Sequence, residues 1–339
     1  MRHRFLTAAF LLASARLAAQ STDSTPHTPP QVFLERAYFS FLTPSGKHLL
    51  FEGQPTVHYF FYNKLGDEGW QADGGWAFAV PLTSAFQVRM TKDGVLLQNG
   101  EKSSSEPVLT PSYRIGVRPQ AFYLWHGAGE DHYRLLGITA GFTHYSNGQH
   151  GCTYIGFTRD SLGNCTGNGP LANQSIANVV DGDFSTSYFS EAVDYRWAKQ
   201  TSTFGTTKYL VNAGIEFKQD PLNIRPGGTN AEQAKQYGQG EIDLRAEGEA
   251  RRLGRASGIG RLSANLAHRY GGGMTSSLNG EQIEAAYLFD CLGEAGVFVR
   301  AHWGFDYYNI HFQEKASFWN VGLVWDLGRL DHLNANNKH

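Results

Sequence analysis

Along most of this chain hydrophobic and polar residues alternate with period two, the spacing of a strand whose successive side chains point to opposite faces. Between 236 and 251 the even positions are Gln236, Gly238, Gly240, Ile242, Leu244, Ala246, Gly248 and Ala250, small and mostly apolar. The odd positions, Tyr237, Gln239, Glu241, Asp243, Arg245, Glu247, Glu249 and Arg251, are crowded with charge. The pattern recurs at 283–291, where Ile283, Ala285, Tyr287 and Phe289 oppose Gln282, Glu284 and Asp290. At 297–307 it sets Val297, Val299, Ala301, Trp303, Phe305 and Tyr307 against Arg300, His302 and Asp306. At 317–327 it sets Trp319, Val321, Leu323, Trp325 and Leu327 against Asn320 and Asp326. A water-soluble sandwich also alternates, but its core face is usually bulkier and its outer face less charged. A wall with lipid on its apolar side and a hydrogen-bonded interior on the other fits better, with aromatic side chains near strand ends at the membrane interfaces.

Segments of this kind, punctuated by Gly, Asn and Asp, are predicted at 56–63, 73–82, 84–95, 112–125, 133–147, 184–199, 205–219, 236–251, 258–270, 280–291, 295–311 and 316–328. An even number lets a bacterial single-chain barrel return both termini to one side, and closure leaves no unpaired edge in hydrocarbon. The predicted fold class is therefore all-β, a transmembrane antiparallel β-barrel of about twelve strands over 53–328. A segment at 21–52, periplasmic or packed into the barrel, precedes it, and a tail at 329–339 follows. The longest interruption, 148–183, comes after the fifth strand and is extracellular in this reading.

Composition narrows the alternatives. Of 339 residues 13% are aromatic, 18% charged and 39 are Gly, which argues against disorder and against long helices or coiled coils. No apolar run near twenty residues occurs beyond the N-terminus, so a polytopic helical membrane protein is excluded. Residues 1–20 have a basic start (Arg2, Arg4), an apolar stretch from Phe5 to Ala15 and small residues at Ala18 and Ala19, the layout of a secretory signal peptide. Its removal takes Arg2, Arg4 and Arg16 from the 29 basic residues and leaves 26 against 31 acidic ones, a mature charge near −5. Nothing in that balance favours nucleic acid as a partner. Export permits disulfides, and Cys152 and Cys165 close a short Gly- and Asn-rich stretch suited to a loop staple. Cys291 reads as a free buried thiol, and no Cys/His spacing suggests zinc.

The fifth predicted strand reads Leu135-Leu-Gly-Ile-Thr-Ala-Gly-Phe-Thr-His-Tyr-Ser-Asn-Gly148. Its apolar face, Leu136, Ile138, Ala140 and Phe142, continues in parity through His144 and Ser146. An imidazole and a hydroxyl therefore project from the lipid-facing side near the outer rim, adjacent on one strand face as a Ser nucleophile and its base require.

His-Tyr-Ser-Asn-Gly at the end of an apolar-out strand resembles the His-x-Ser-Asn-Gly motif of the outer-membrane phospholipase A family. The stretch Ser103-Ser-Ser-Glu-Pro-Val-Leu-Thr-Pro-Ser-Tyr113 resembles that family's Ser-Ser-Pro-containing loop. The resemblance implies a calcium-dependent serine hydrolase of the bacterial outer membrane that cleaves acyl esters of phospholipids and is active as a homodimer. Carried across, Ser146 is the nucleophile and His144 the base. The family's third member, an Asn on the following strand, has no Asn counterpart here; Ser187 stands where it would align. Glu191 shares that strand's lipid-side parity and is the other candidate, either paired with His144 or turned inward past a bulge. The family's calcium site corresponds to Gln149, Asp183 and the partner's Ser105 or Glu106. A related motif occurs in lipid A deacylases, shorter barrels with a Glu as third member, and a non-enzymatic barrel is the remaining alternative.

Overall fold

The computed structural model describes residues 36–43, 49–65, 73–91, 111–126, 132–146, 158–159, 161, 165–166, 185–200, 207–220, 238–252, 258–274, 278–289, 292, 295–305 and 315–325. The strands among them are β1 (Ala37–Thr43), β2 (Leu49–Gln54), β3 (Thr56–Asn63), β4 (Gly75–Thr91), β5 (Ser112–Val117), β6 (Gln120–His126), β7 (His132–Ser146), β8 (Thr158–Arg159), β9 (Cys165–Thr166), β10 (Ser185–Gln200), β11 (Thr207–Gln219), β12 (Gly240–Arg252), β13 (Gly258–Tyr270), β14 (Leu278–Phe289), β15 (Ala295–Phe305) and β16 (Lys315–Trp325). β8 and β9 pair with each other; the rest form one antiparallel sheet. β1 pairs with β16 from Ala37↔Trp325 to Thr43↔Trp319, and β7 pairs with β10 along its whole length, so the sheet closes on itself. No helix among the described residues is long and apolar enough to cross a membrane.

Prolines explain why fourteen strand segments make a closed twelve-stranded antiparallel barrel. A proline cannot donate to the ladder, so it interrupts a strand or sits at an irregularity. β2 and β3 are one stave broken at Pro55, and β5 and β6 are one stave broken at Arg118 and Pro119. Their carbonyls stay in the ladder: Phe86 N–H donates to Pro55 O and Ala140 N–H to Pro119 O, each at 3.0 Å.

Three details differ from the pattern reading. β1 and β2 lie inside the segment expected to precede the barrel, where the strands are short and the inward positions include the fully buried Ser40 and Glu52. The predicted strands 73–82 and 84–95 are one strand, β4, which runs through Pro81 because β3 bulges opposite it: Phe60 pairs with Pro81 and Tyr62 with Val80. One strand gained and two merged leave the total unchanged. Finally, Phe305 does not continue the outward face of Val297, Val299 and Trp303. Gly304 adopts φ +105°, which breaks the alternation and turns Phe305 inward under the Arg269 guanidinium. The 1–20 leader, the tail at 329–339, Cys152 and Cys291 lie outside the described residues, and so does the proposed Cys152–Cys165 pairing.

Elsewhere the parity holds. Leu244, Val297, Val299, Trp319, Val321 and Leu323 are exposed on the outer wall, while Glu241, Asp243, Glu284, Arg300 and Asn320 are buried inside. Ion pairs fill the lumen, some between distant strands and some between adjacent ones. Arg118 pairs with Glu216, Arg36 with Glu247 at 2.5 Å, and Arg300 with Glu284 at 2.8 Å. Lys218 pairs with Glu241 at 2.7 Å and also with Asp243. Toward the end with the shorter connections the interior turns apolar, around Leu65, Phe122, Leu124, Tyr133 and Leu135 on one side and Leu288, Phe298 and Val324 on the other. Such an interior is a packed support for the wall, and a charged cavity of about 310 Å³ remains between the networks and the rim at Asp220 and Gly238.

Glu52 anchors the seam: it meets Arg89 at 2.6 Å and accepts from Tyr38 Oη at 2.5 Å. Glu52→Ala, which strands a buried guanidinium, is expected to cost about 3 kcal/mol or more, read as a lowered denaturant midpoint in micelles. At the rim, burial pushes the Asp220 carboxyl up to about 6 against the pull of Arg269. The folded state then holds this proton more tightly than the unfolded chain, so stability is full below the ordinary carboxylate value near 4 and falls as pH rises through about 6. Asp220→Asn should flatten that fall, measured as denaturant midpoints across pH 4–7.

Candidate active site on the outer wall

The site is built by two neighbouring strands at one end of the barrel. β7 places Ile138, Ala140 and Phe142 outward as exposed apolar residues, and the same parity carries His144 and Ser146, both half-buried, onto the outer face. The alternate positions Thr139, Thr143 and Tyr145 are buried inside. β10 continues the surface with Ser187, Phe189, Glu191, Val193 and Tyr195 outward, and Ser190, Asp194 and Arg196 inward. This end is the one where the long connections 92–111, 147–184 and 220–239 leave the sheet.

Register decides which groups meet. His144 lies directly opposite Ser187 and, on its other side, opposite Ile115 of β5. Side chains opposite one another on one face have Cβ atoms about 5 Å apart, close enough for an imidazole to reach a hydroxyl. His144 Nδ1 and Ser187 Oγ are joined by a hydrogen bond of 3.1 Å. Ser187 is only 5% exposed, which shields this bond from competing solvent. Ser146 follows one pleat further toward the rim, opposite Tyr113 and Ser185, with its Cα about 7 Å from that of His144. A hydrogen bond at Nδ1 leaves Nε2 as the ring nitrogen available to a hydroxyl on the same strand face.

Glu191 is elsewhere. It faces outward, with no inward-turning bulge in the continuous pairing of β7 with β10, and it stands opposite Ala140. Four residues separate that row from His144, a distance of about 13 Å along the strand, so the expected Glu191–His144 pairing is not formed. Sequence parity put both Ser187 and Glu191 on the right face; only register could separate them. Gln149, Asp183, Ser105 and Glu106 lie outside the described residues. Among the described residues no group of three His, Cys, Asp or Glu is placed to hold a metal.

No protein-family model matches the chain, and no curated protein matches it. Solved structures do. Outer membrane phospholipase A from Escherichia coli is similar at 12% identity, over 90% of this chain and 93% of that one, with a TM-score of 0.45. The Salmonella typhi outer membrane phospholipase dimer with bound calcium gives 12% identity over 90% and 94%, with a TM-score of 0.45. The translocator domain of autotransporter NalP from Neisseria meningitidis gives 9% over 94% and 96%, with a TM-score of 0.35. All three are membrane barrels. At these scores the likeness is one of general architecture and carries no chemistry.

If His144 activates Ser146, a fluorophosphonate should label the folded protein at Ser146, and His144→Ala should remove the label while heat-modifiable migration on gels is unchanged. Peptide mapping after labelling reads both outcomes; an intact label on His144→Ala would detach the two residues.

Proposed function

We propose that the chain is an outer-membrane acyl hydrolase acting on phospholipids. The observation that carries this reading is the outward imidazole of His144, bonded across the strands to Ser187 and one pleat from the hydroxyl of Ser146, on a wall that faces lipid. A nucleophile aimed into the lumen would meet water and ion pairs; aimed outward, it meets the ester region of membrane lipids.

The steps follow from those three side chains. Ser146 Oγ attacks the ester carbonyl as its proton passes to His144 Nε2, and the imidazolium returns that proton to the departing glycerol oxygen. Water then attacks the acyl-Ser146 ester by the same route in reverse, releasing the fatty acid. Ser187 is a positioning residue: with Nδ1–H donating to its Oγ, it holds the tilt of the ring and leaves Nε2 as the base. A hydroxyl does this without burying a charge beside hydrocarbon, at the loss of the extra stabilisation a carboxylate gives an imidazolium.

Calcium belongs to this reading as an expectation of family resemblance. β7 and β10 end opposite each other at Ser146 and Ser185, three residues before Gln149 and two after Asp183 in the sequence. The donors expected there, the Gln149 carbonyl, the Asp183 carboxylate and the Ser105 or Glu106 of a second copy, are hard oxygens suited to calcium. Bound there, calcium would supply positive charge for the developing oxyanion. A homodimer, with the active site on the outer-leaflet side, completes the proposal.

Two measurements on detergent-dispersed phospholipid test it. Ser146→Ala should lower kcat by roughly four orders of magnitude or more, and Ser187→Ala by roughly ten- to a hundredfold, with Ser187→Asn largely restoring it. Full activity in Ser146→Ala removes the enzyme assignment. Chelation by EGTA should abolish turnover and excess calcium restore it; turnover that persists would mean chemistry without the metal.

A further inference from the structure

Glu191 is an exposed acid at the middle of the lipid-facing run of β10, between Phe189 and Val193. Its cross-strand neighbours are Ala140 on β7 and Phe217 on β11. Among the described residues it makes no hydrogen bond or ion pair; its direct outward neighbours Phe189, Val193, Ala140 and Phe217 are apolar, and Gln219 stands diagonally beyond Phe217. An ionisable group inside the hydrocarbon layer lowers stability unless something polar meets it, so its position calls for a partner.

The alignment suggests which partner. Ser187 and Glu191 stand on the same face of one strand, and His144 and Ala140 on the same face of the next. Between the two rows lies the Phe142–Phe189 ring pair, with centroids 5.1 Å apart. An acyl chain whose ester sits at Ser146 and whose tail runs along the wall away from the rim passes these rings and reaches Glu191 six residues, about 20 Å, from the Ser146 row, in the far half of an eighteen-carbon chain. Ala140, the smallest side chain on that part of β7, leaves the carboxyl open from the strand that also carries the nucleophile.

We infer that Glu191 is a specificity-determining residue, which accepts a hydrogen bond from a hydroxyl group in the far half of the substrate's acyl chain. The inference rests on the hydrolase reading and names a substrate class within it: lipids with hydroxylated acyl chains. In hydrocarbon no water competes for the carboxyl oxygens, and a plain chain leaves them unpaired. A site built to bond a hydroxyl disfavours the analogue that lacks one.

The test uses the full chain in micelles with two lysophosphatidylcholines, octadecanoyl and its analogue hydroxylated near carbon 16. The wild type should favour the hydroxylated substrate by roughly tenfold in kcat/KM. Glu191→Leu should bring the ratio to near one while turnover of the plain substrate is kept or raised, and Glu191→Gln, whose amide oxygen still accepts, should retain the preference. A wild-type ratio near one, or a preference that survives in Glu191→Leu, overturns the inference. Should the wild type hydrolyse neither substrate, the hydrolase reading falls on its own. Retention of the two free fatty acids by the micellar protein then decides: selective retention of the hydroxylated acid, lost in Glu191→Leu, upholds the site, and equal retention overturns it.

Discussion

In hydrocarbon an unpaired backbone amide has no water to turn to, and that constraint governs this protein more than any single contact. Every strand must find two neighbours, so the sheet has to close, and β1 with β16 is where it does. The prolines at 55, 81 and 119 would each open the ladder in a straight strand. They are accommodated by two breaks and one bulge on adjacent staves, with the proline carbonyls still accepting. Closure sorts side chains into two solvents. Apolar ones face lipid, and charged ones face a lumen where they can meet only one another.

That sorting sets the conditions for chemistry. The interior is bridged by Arg118–Glu216 and Arg36–Glu247 and lined by adjacent-strand pairs such as Lys218–Glu241, and it narrows into apolar packing toward the short-connection end. These pairs stiffen the wall from within, which matters because the candidate catalytic groups lie on its outer surface with no second layer to hold them. Their only support is the ladder itself. The His144–Ser187 bond is an ordinary cross-strand pair of an antiparallel sheet, near the end of the barrel that carries the long connections.

A period of two is read from a short stretch of residues, so the outward placement of His144, Ser146 and Ser187 was legible in the chain before any fold was known, while that of Glu191 stayed open to a bulge. The exceptions had visible signals as well. Gly304 interrupts the alternation before Phe305, and Pro81 sits inside a strand-like run, but neither residue says by itself whether the strand turns, ends or continues.

Local alternation therefore determined the class of fold, the face most strand residues occupy and the adjacency of an imidazole and a hydroxyl on one strand. It could not choose between Ser187 and Glu191, because both share a face and differ only in height. Height is a matter of register, and register is set by the whole ring of strands: a slip of one pair would be felt at every other pair around the barrel. Only the closed structure set Ser187 opposite His144, stood Glu191 opposite Ala140, and drew β1 and β2 into the wall, because each of those facts depends on which strand lies beside which.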